Sequence, residues 1–242
     1  MKIRNPFSNF SPFEWALWLG SIAVITISFM LGGLSDWLTL AVSLVGATSL
    51  IFIAKGDVIG QFLMIVFSIM YAVISYRQSY YGEMITFLGM TAPIATLSIV
   101  TWLRHPYEEG KREVAVSRLT KKSLTLMIVL ACAVTVAFYF ILDFFNTARL
   151  TVSTLSVTTS FIAAWLLMLR LETYALAYAA NDIVIIVLWV LATLQDIACL
   201  PMVICFSIFF INDTYGYYNW RRMKKRQATD KDKSSVSEQL AP

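Results

Sequence analysis

Apolar runs of membrane-spanning length alternate along this chain with short polar interruptions. A helix needs about 20 mostly apolar residues to cross the hydrocarbon core of a bilayer. Runs near 15–33, 37–54, 58–76, 84–103, 124–143, 151–169, 174–194 and 198–220 meet that length. The gaps hold breakers and charges: Gly32-Gly33 with Asp36, Lys55-Gly56-Asp57, Gly82-Glu83, and Arg170 with Glu172. Backbone polar groups cannot be left unpaired in lipid, so each run reads as a helix. The pattern predicts an all-α membrane protein with eight transmembrane helices.

Composition agrees. Of 242 residues, 58% are hydrophobic and 14% charged, against about 25% charged in soluble domains. The charges crowd into Arg104–Lys122 and Arg221–Lys233, too few and too clustered for a water-facing shell. The net charge of +4 has a topological cause rather than a nucleic-acid partner. With the N terminus inside and eight crossings, inside segments carry 17 of the 19 Lys and Arg, leaving Arg77 and Arg149 outside. The positive-inside rule therefore places both termini on the cytoplasmic side.

The remaining composition narrows the chemistry. Cys132, Cys199 and Cys205 lack the paired spacing of a zinc site and read as packing thiols. His105 follows a helix end and precedes Pro106, a rim position rather than a ligand or base. No metal, cofactor or catalytic residue is expected. Lys2 and Arg4 before the first run resemble a signal peptide, but no small-x-small cleavage site follows, so a retained helix is expected. The polar tail from Gln227 to Pro242 reads as disordered.

A weak internal repeat organises the spans. Residues 61–104 slide onto 179–222 without a gap, putting Tyr71 on Trp189, Met84 on Met202, Thr96 on Thr214, Trp102 on Trp220 and Arg104 on Arg222. Each copy extended back by one helix gives triplets at 37–104 and 151–222. Residues 105–150 then form a loop and linker helix, 1–36 an N-terminal end and extra helix, and 223–242 a basic tail. An odd-numbered unit fused to its copy would insert upside down, and one linking helix restores its orientation. The expectation is an extra helix plus a 3+1+3 parallel-repeat bundle, full-length SWEET-like, as in transporters with a site between repeats.

Ionisable groups inside spans are costly and mark function by default. Here they are Asn181-Asp182 and Asn212-Asp213, on consecutive antiparallel helices. At ~1.5 Å rise per residue, both pairs sit roughly 10–12 Å from the inner boundary. Tyr178, Asp182, Ile185 and Trp189 form one stripe, and Asn212, Tyr215, Gly216 and Asn219 another. Aromatic walls with a few polar groups suit a flat, hydroxylated solute, and Asp182 would suit a cationic ring. The candidate substrate-binding residues are Tyr71, Tyr178, Asn181, Asp182, Trp189, Asn212, Tyr215 and Asn219. Trp37, Trp102 and Trp220 read as interface anchors, and Asp213 could pair with Arg221 or Arg222.

Several of these segments resemble the PnuC family of bacterial nicotinamide riboside transporters, over about residues 37–222. The resemblance rests on Ala54-Lys55-Gly56, Tyr71-x-x-x-Ser75-Tyr76, Tyr81-Gly82-Glu83, Pro93, the Asp182-to-Trp189 spacing and Asn212-x-x-Tyr215-Gly216-x-x-Asn219-Trp220. It implies the 3+1+3 fold, a homotrimer, and facilitated diffusion of a vitamin or nucleoside-like solute trapped by cytoplasmic phosphorylation. This chain departs from the family at Phe67, Phe87 and Ala95, where amides are expected, and at Tyr178 and Asp182, where tryptophan and asparagine are expected. An added acid favours a cation such as nicotinamide riboside or thiamine over a neutral deoxynucleoside.

Other readings compete with uniport. Asp182 could carry a proton coupled to transport. Asp182 with Asp213 could form an intramembrane aspartyl dyad, although the motifs of such proteases are absent. A non-transporting receptor would leave the repeat unexplained.

Overall fold

The computed structural model describes residue 7 and residues 10–31, 37–78, 80–108, 113–147 and 149–239. Among them, eight long helices follow in chain order. They are α1 (Pro12–Leu31), α2 (Trp37–Ala54), α3 (Ile59–Arg77), α4 (Tyr81–Leu103), α5 (Lys121–Phe144), α6 (Leu150–Met168), α7 (Tyr174–Thr193) and α8 (Leu200–Gln239). Seven of these, α1 to α7, are long and apolar enough to cross a membrane. In α8 the apolar stretch is interrupted by Asn212-Asp213 before the helix turns polar. Lys2, Arg4, Gly32-Gly33 and Asp36, used above for orientation and boundaries, lie outside the described residues.

The helices carry apolar side chains outward as well as inward. On α3, Phe62, Val66, Ile69 and Val73 form an exposed stripe, as do Val129, Val136 and Phe140 on α5. Such faces suit lipid. The inner faces are lined by small residues that let backbones approach. A Cβ on Gly60 would stand 2.6 Å from the Ile53 nitrogen, so this glycine sets the closeness of α2 to α3. A Cβ on Gly46 would stand 2.3 Å from the Phe209 ring, so this one admits α8 against α2. In the bundle α2 packs on α3 and α8, α7 on α6 and α8, and α4 on α3 and α6. α1 leans on α2 and α8, and α5 packs on α6.

α4 is not regular. It is α-helical over Tyr81–Thr86, widens to a π turn over Phe87–Thr91, and resumes over Ala92–Leu103. Pro93 has no N–H for the carbonyl of Gly89, so the α ladder cannot run through this stretch. A π turn is a common way to absorb such a break.

At the basic end of the bundle, α2 and α6 stop in the same way. Gly56 (φ 66°) and Arg170 (φ 61°) are left-handed. The N–H of Gly56 donates to Ile53 O at 2.9 Å and that of Asp57 to Phe52 O at 2.9 Å. Arg170 donates to Leu167 O at 2.9 Å and Leu171 to Leu166 O at 3.1 Å, the same pattern 114 residues on. These bonds occupy carbonyls that a helix end otherwise leaves open. The segment after α4 laces the two ends together: Val114 N–H donates to Gly56 O at 3.1 Å and Ser117 N–H to Arg170 O at 2.9 Å.

Two expectations change here. Trp37 is 68% exposed, as an anchor should be, but Trp102 and Trp220 are buried. They pack on each other, centroids 5.7 Å apart. Each indole N–H donates to the last turn of another helix, Trp102 to Leu167 O of α6 at 3.3 Å and Trp220 to Ile53 O of α2 at 2.9 Å. Both are core residues because a helix-end carbonyl across the bundle satisfies the N–H. The tail expected to be disordered continues as helix to Gln239. No Gly or Pro follows Trp220 before Pro242, most residues there favour helix, and the extension is docked. Gln227 donates to Val114 O at 3.1 Å and accepts from Val116 N–H at 2.8 Å. Arg226 pairs with Glu113, and Tyr107 donates to Asp230 at 2.8 Å.

Candidate functional site

The eight candidate residues do not form one pocket; seven of them divide into three groups and Asn181 stands apart. The first is the acid pair. α7 and α8 are antiparallel neighbours, so Asp182, eight positions after Tyr174, and Asp213, seven before Trp220, fall at one depth. The Asp182 and Asp213 carboxyl groups indeed lie within hydrogen-bonding reach of each other. They are 3% and 4% exposed. Neither has a salt bridge to Lys or Arg among the described residues, so the expected pairing of Asp213 with Arg221 or Arg222 gives way to Asp182. Asp182 Oδ2 has no hydrogen-bond partner. Tyr178, half-buried on the same stripe, lies near both acids. Tyr174, one turn earlier, is buried beside Asp213 with its hydroxyl unpartnered.

The second group is an aromatic layer further from the basic end. Trp189 Nε1–H donates to the Tyr71 hydroxyl at 3.0 Å, both side chains fully buried. Phe67 stacks on Tyr71 at 5.4 Å, Phe87 lies 4.4 Å from it and Phe206 5.8 Å. Two of the positions where amides were expected, Phe67 and Phe87, thus fill this layer with rings. The π turn of α4 is what presents Phe87.

The third group faces away from α7. Asn212 Nδ2 donates to Ser21 Oγ on α1 at 3.2 Å and to Ile208 O at 2.9 Å. The Tyr215 hydroxyl donates to Glu14 Oε1 at 2.9 Å, and Asn219 Nδ2 to Ala54 O at 2.8 Å. These side chains fasten α1 and the end of α2 to α8. Gly216, grouped with them by spacing, instead faces Tyr174: a Cβ there would stand 3.1 Å from its hydroxyl. Tyr215 and Asn219 do line a cleft of about 550 Å³ with Glu14, Arg222 and Arg226. On a helix, residues 215, 219, 222 and 226 lie nearly opposite 213, so cleft and acid pair are separate features. Asn181 is also engaged, accepting from Thr159 of α6 at 2.7 Å.

Sequence reasoning passed over Glu83, which it treated as a gap residue. It is buried, accepts from Ser156 Oγ at 3.2 Å, leaves Oε2 unpartnered, and lies near Tyr71. The signal was present: Glu83, Phe87, Met90 and Ile94 recur at one helical face, and all are buried. Glu14 was missed too. It forms a bidentate pair with Lys55 at 2.8 Å to each oxygen and caps its own helix through Ser11 N–H at 2.6 Å. His105 is exposed at a helix end and its Nδ1 bonds Thr101 O at 2.8 Å, a rim residue as read. The three cysteines are free thiols, and no cluster of metal-ligating side chains occurs among the described residues.

Comparison with known proteins locates this arrangement. A family model described as nicotinamide mononucleotide transporter matches residues 36–222. The nicotinamide riboside transporter PnuC of Neisseria mucosa is 26% identical over 229 residues, covering 93% of this chain and 87% of that protein. Its namesake from Haemophilus influenzae is 24% identical over 228 residues, covering 93% and 97%. Among solved structures, a crystal structure of the vitamin B3 transporter PnuC superposes with a TM-score of 0.80 at 24% identity, over 91% of this chain and 95% of that one.

Proposed function

Because the chain belongs to the family described as nicotinamide mononucleotide transporter, we propose that it carries nicotinamide riboside or a closely related ring-bearing vitamin or nucleoside across a bacterial inner membrane. The movement is downhill, kept so by phosphorylation of the solute inside. The fold class fits: the residues form a multi-pass helical bundle with the backbone of a vitamin B3 transporter. Within this reading both termini are cytoplasmic, supported by the charge count, and the protomers assemble as trimers, as the family resemblance implies.

The bundle is read as two parallel triplets, α2–α4 and α6–α8, joined by α5 and preceded by α1. Matched positions support this. Tyr71 bonds Trp189, and Trp102 packs on Trp220, each pair 118 residues apart. Residues related by a two-fold axis can touch each other only near that axis. One contact lies near the basic end and the other beyond the acid pair, which supports reading the axis along the bundle, the direction parallel repeats require.

The observation that carries the substrate assignment is the acid pair, buried beside Tyr178 and facing unpartnered polar atoms. A positively charged ring would meet a counter-ion and aromatic faces together. The substrate-binding residues in this reading are Asp182, Asp213, Tyr178 and Tyr174, with Asn181 orienting through α6 and the Tyr71–Trp189 pair closing the far side. Thiamine is the alternative cation. The same pair has the arrangement an aspartyl hydrolase needs, but the family is one of transporters.

Binding of nicotinamide riboside, thiamine, riboflavin and nucleosides to purified protein, followed by thermal shift, tests the assignment. The cations should bind, and Asp182→Ala and Trp189→Ala should each lose binding while remaining folded. Wild-type affinity in either variant would refute the site as drawn.

A further inference from the structure

We propose that Asp182 and Asp213 hold one shared proton in the empty site, and that a cationic solute entering there expels it. The inference rests on the substrate class just assigned and adds a proton to the binding step.

The geometry leaves the pair few alternatives. Two carboxyl groups within hydrogen-bonding reach cannot both stay ionised where apolar side chains exclude water, and one proton bridging them removes the repulsion. Among the described residues, no Lys or Arg stands close to the pair. Tyr174 and Tyr178 lie near it on α7, and Cys205 lies near Asp182 on α8. Cys205 is itself bonded to Ser43 of α2. All three are neutral groups at ordinary pH. No Lys or Arg salt bridge reaches either acid among the described residues. The pair therefore behaves as one unit with a single negative charge.

Polar atoms without partners show where a ligand would stand. The Tyr174 hydroxyl, on a side chain 1% exposed, is unpartnered beside Asp213. Asp182 Oδ2 is unpartnered on the other member. Gly216 packs against that hydroxyl and leaves no side chain there to bond it: a Cβ would stand 3.1 Å away. Buried polar groups without partners are costly, and a hydroxylated cation would satisfy both atoms at once. Its positive charge would also stabilise the second carboxylate in its ionised form. The balance is then one cation bound and one proton released to the aqueous side to which the site is open. A neutral nucleoside offers no charge to replace the proton and releases none.

The linkage makes affinity for a cation fall about tenfold for each pH unit of acidification while the pair is protonated. Calorimetric titration of the full-length detergent-solubilised protein with nicotinamide riboside, in phosphate and in Tris at one pH near 7, reads the proton directly. These buffers differ widely in heat of ionisation. The expected result is a binding heat that differs between them by close to one proton released per solute bound. In D213N, any binding that remains should show the same heat in both buffers. Should that variant fail to fold, the pH dependence of Kd for the unaltered protein gives the same answer. Tight binding with equal heats and a Kd flat from pH 6 to 8 would overturn the shared proton while leaving the transporter reading intact. No binding of either nicotinamide riboside or thiamine would overturn both.

Discussion

α8 shows two polar faces to its neighbours, and they are built on opposite rules. Toward α1 and α2 it presents Asn212, Tyr215 and Asn219, and each donates a hydrogen bond across to the neighbouring helix. Toward α7 it presents Asp213 and Gly216, beside a carboxylate oxygen and a phenol hydroxyl that have no hydrogen-bond partners. Both faces put polar groups in a membrane-spanning bundle, so polarity alone does not mark a site. The difference lies in satisfaction. A group bonded to a neighbouring helix serves as a fastener, whereas a buried group left open has been kept for something that arrives. Asn212 stands between the two cases: its amide nitrogen is bonded, but its carbonyl oxygen is not.

The sharpest way to break this comparison is to remove the fastener that holds most. Glu14 joins three elements, pairing with Lys55 at the end of α2, accepting from Tyr215 on α8 and capping α1 through Ser11. Its side chain is 5% exposed and that of Lys55 18%. Glu14→Ala would remove the bidentate carboxylate from a largely buried ammonium, a change that costs about 3 kcal/mol. Unfolding titrations in SDS should register that loss, with solute affinity unchanged in the folded fraction. Lost affinity at full stability would instead assign the outer face and its cleft to the solute. Asn219→Leu comes next. It strips the donor from Ala54 O at the end of α2, and interhelical hydrogen bonds in membranes are worth about 0.6–2 kcal/mol. The same pair of measurements should show a smaller loss of stability and again no loss of affinity.

How much of this could be read from the chain depends on the kind of signal. Eight helices form where the apolar runs stand, and seven of them were legible as spans because an apolar run of fixed length has one physical meaning in a bilayer. The shared depth of Asp182 and Asp213 was legible too, because helical rise converts residue count into distance. Which way a polar residue points was not. Tyr215 and Gly216 are adjacent, yet one bonds Glu14 and the other faces Tyr174. A stripe drawn from spacing spans enough of the circumference to merge the two faces. Nor does spacing say whether a polar group finds a partner: Asn181 looked like a ligand, but Thr159 on α6 occupies its oxygen. Glu83 was lost for a different reason. Taking a charge as the edge of a span hides any acid that sits inside one. The helical tail was lost because polar composition resembles disorder until Gln227 and Asp230 find the segment after α4.

The smallest expected effect separates the two faces most cleanly, because it changes one atom type in two comparable places. Tyr215→Phe and Tyr174→Phe each delete a phenol oxygen facing another helix. The Tyr215 hydroxyl has an acceptor in Glu14 Oε1, so its loss should cost about 1 kcal/mol of stability. The Tyr174 hydroxyl has no protein partner. Removing it deletes an unsatisfied buried donor, and stability should stay level or rise by a few tenths of a kcal/mol. Affinity should show the reverse. Tyr174→Phe should weaken nicotinamide riboside binding several-fold, as the solute loses a hydroxyl that was open to it, whereas Tyr215→Phe should bind as before. Measured side by side in SDS unfolding and calorimetry, the two variants should cross: one loses stability, the other affinity. Parallel losses in both assays would mean that the Tyr174 hydroxyl is already spoken for, and the contrast between the faces of α8 would fall with it.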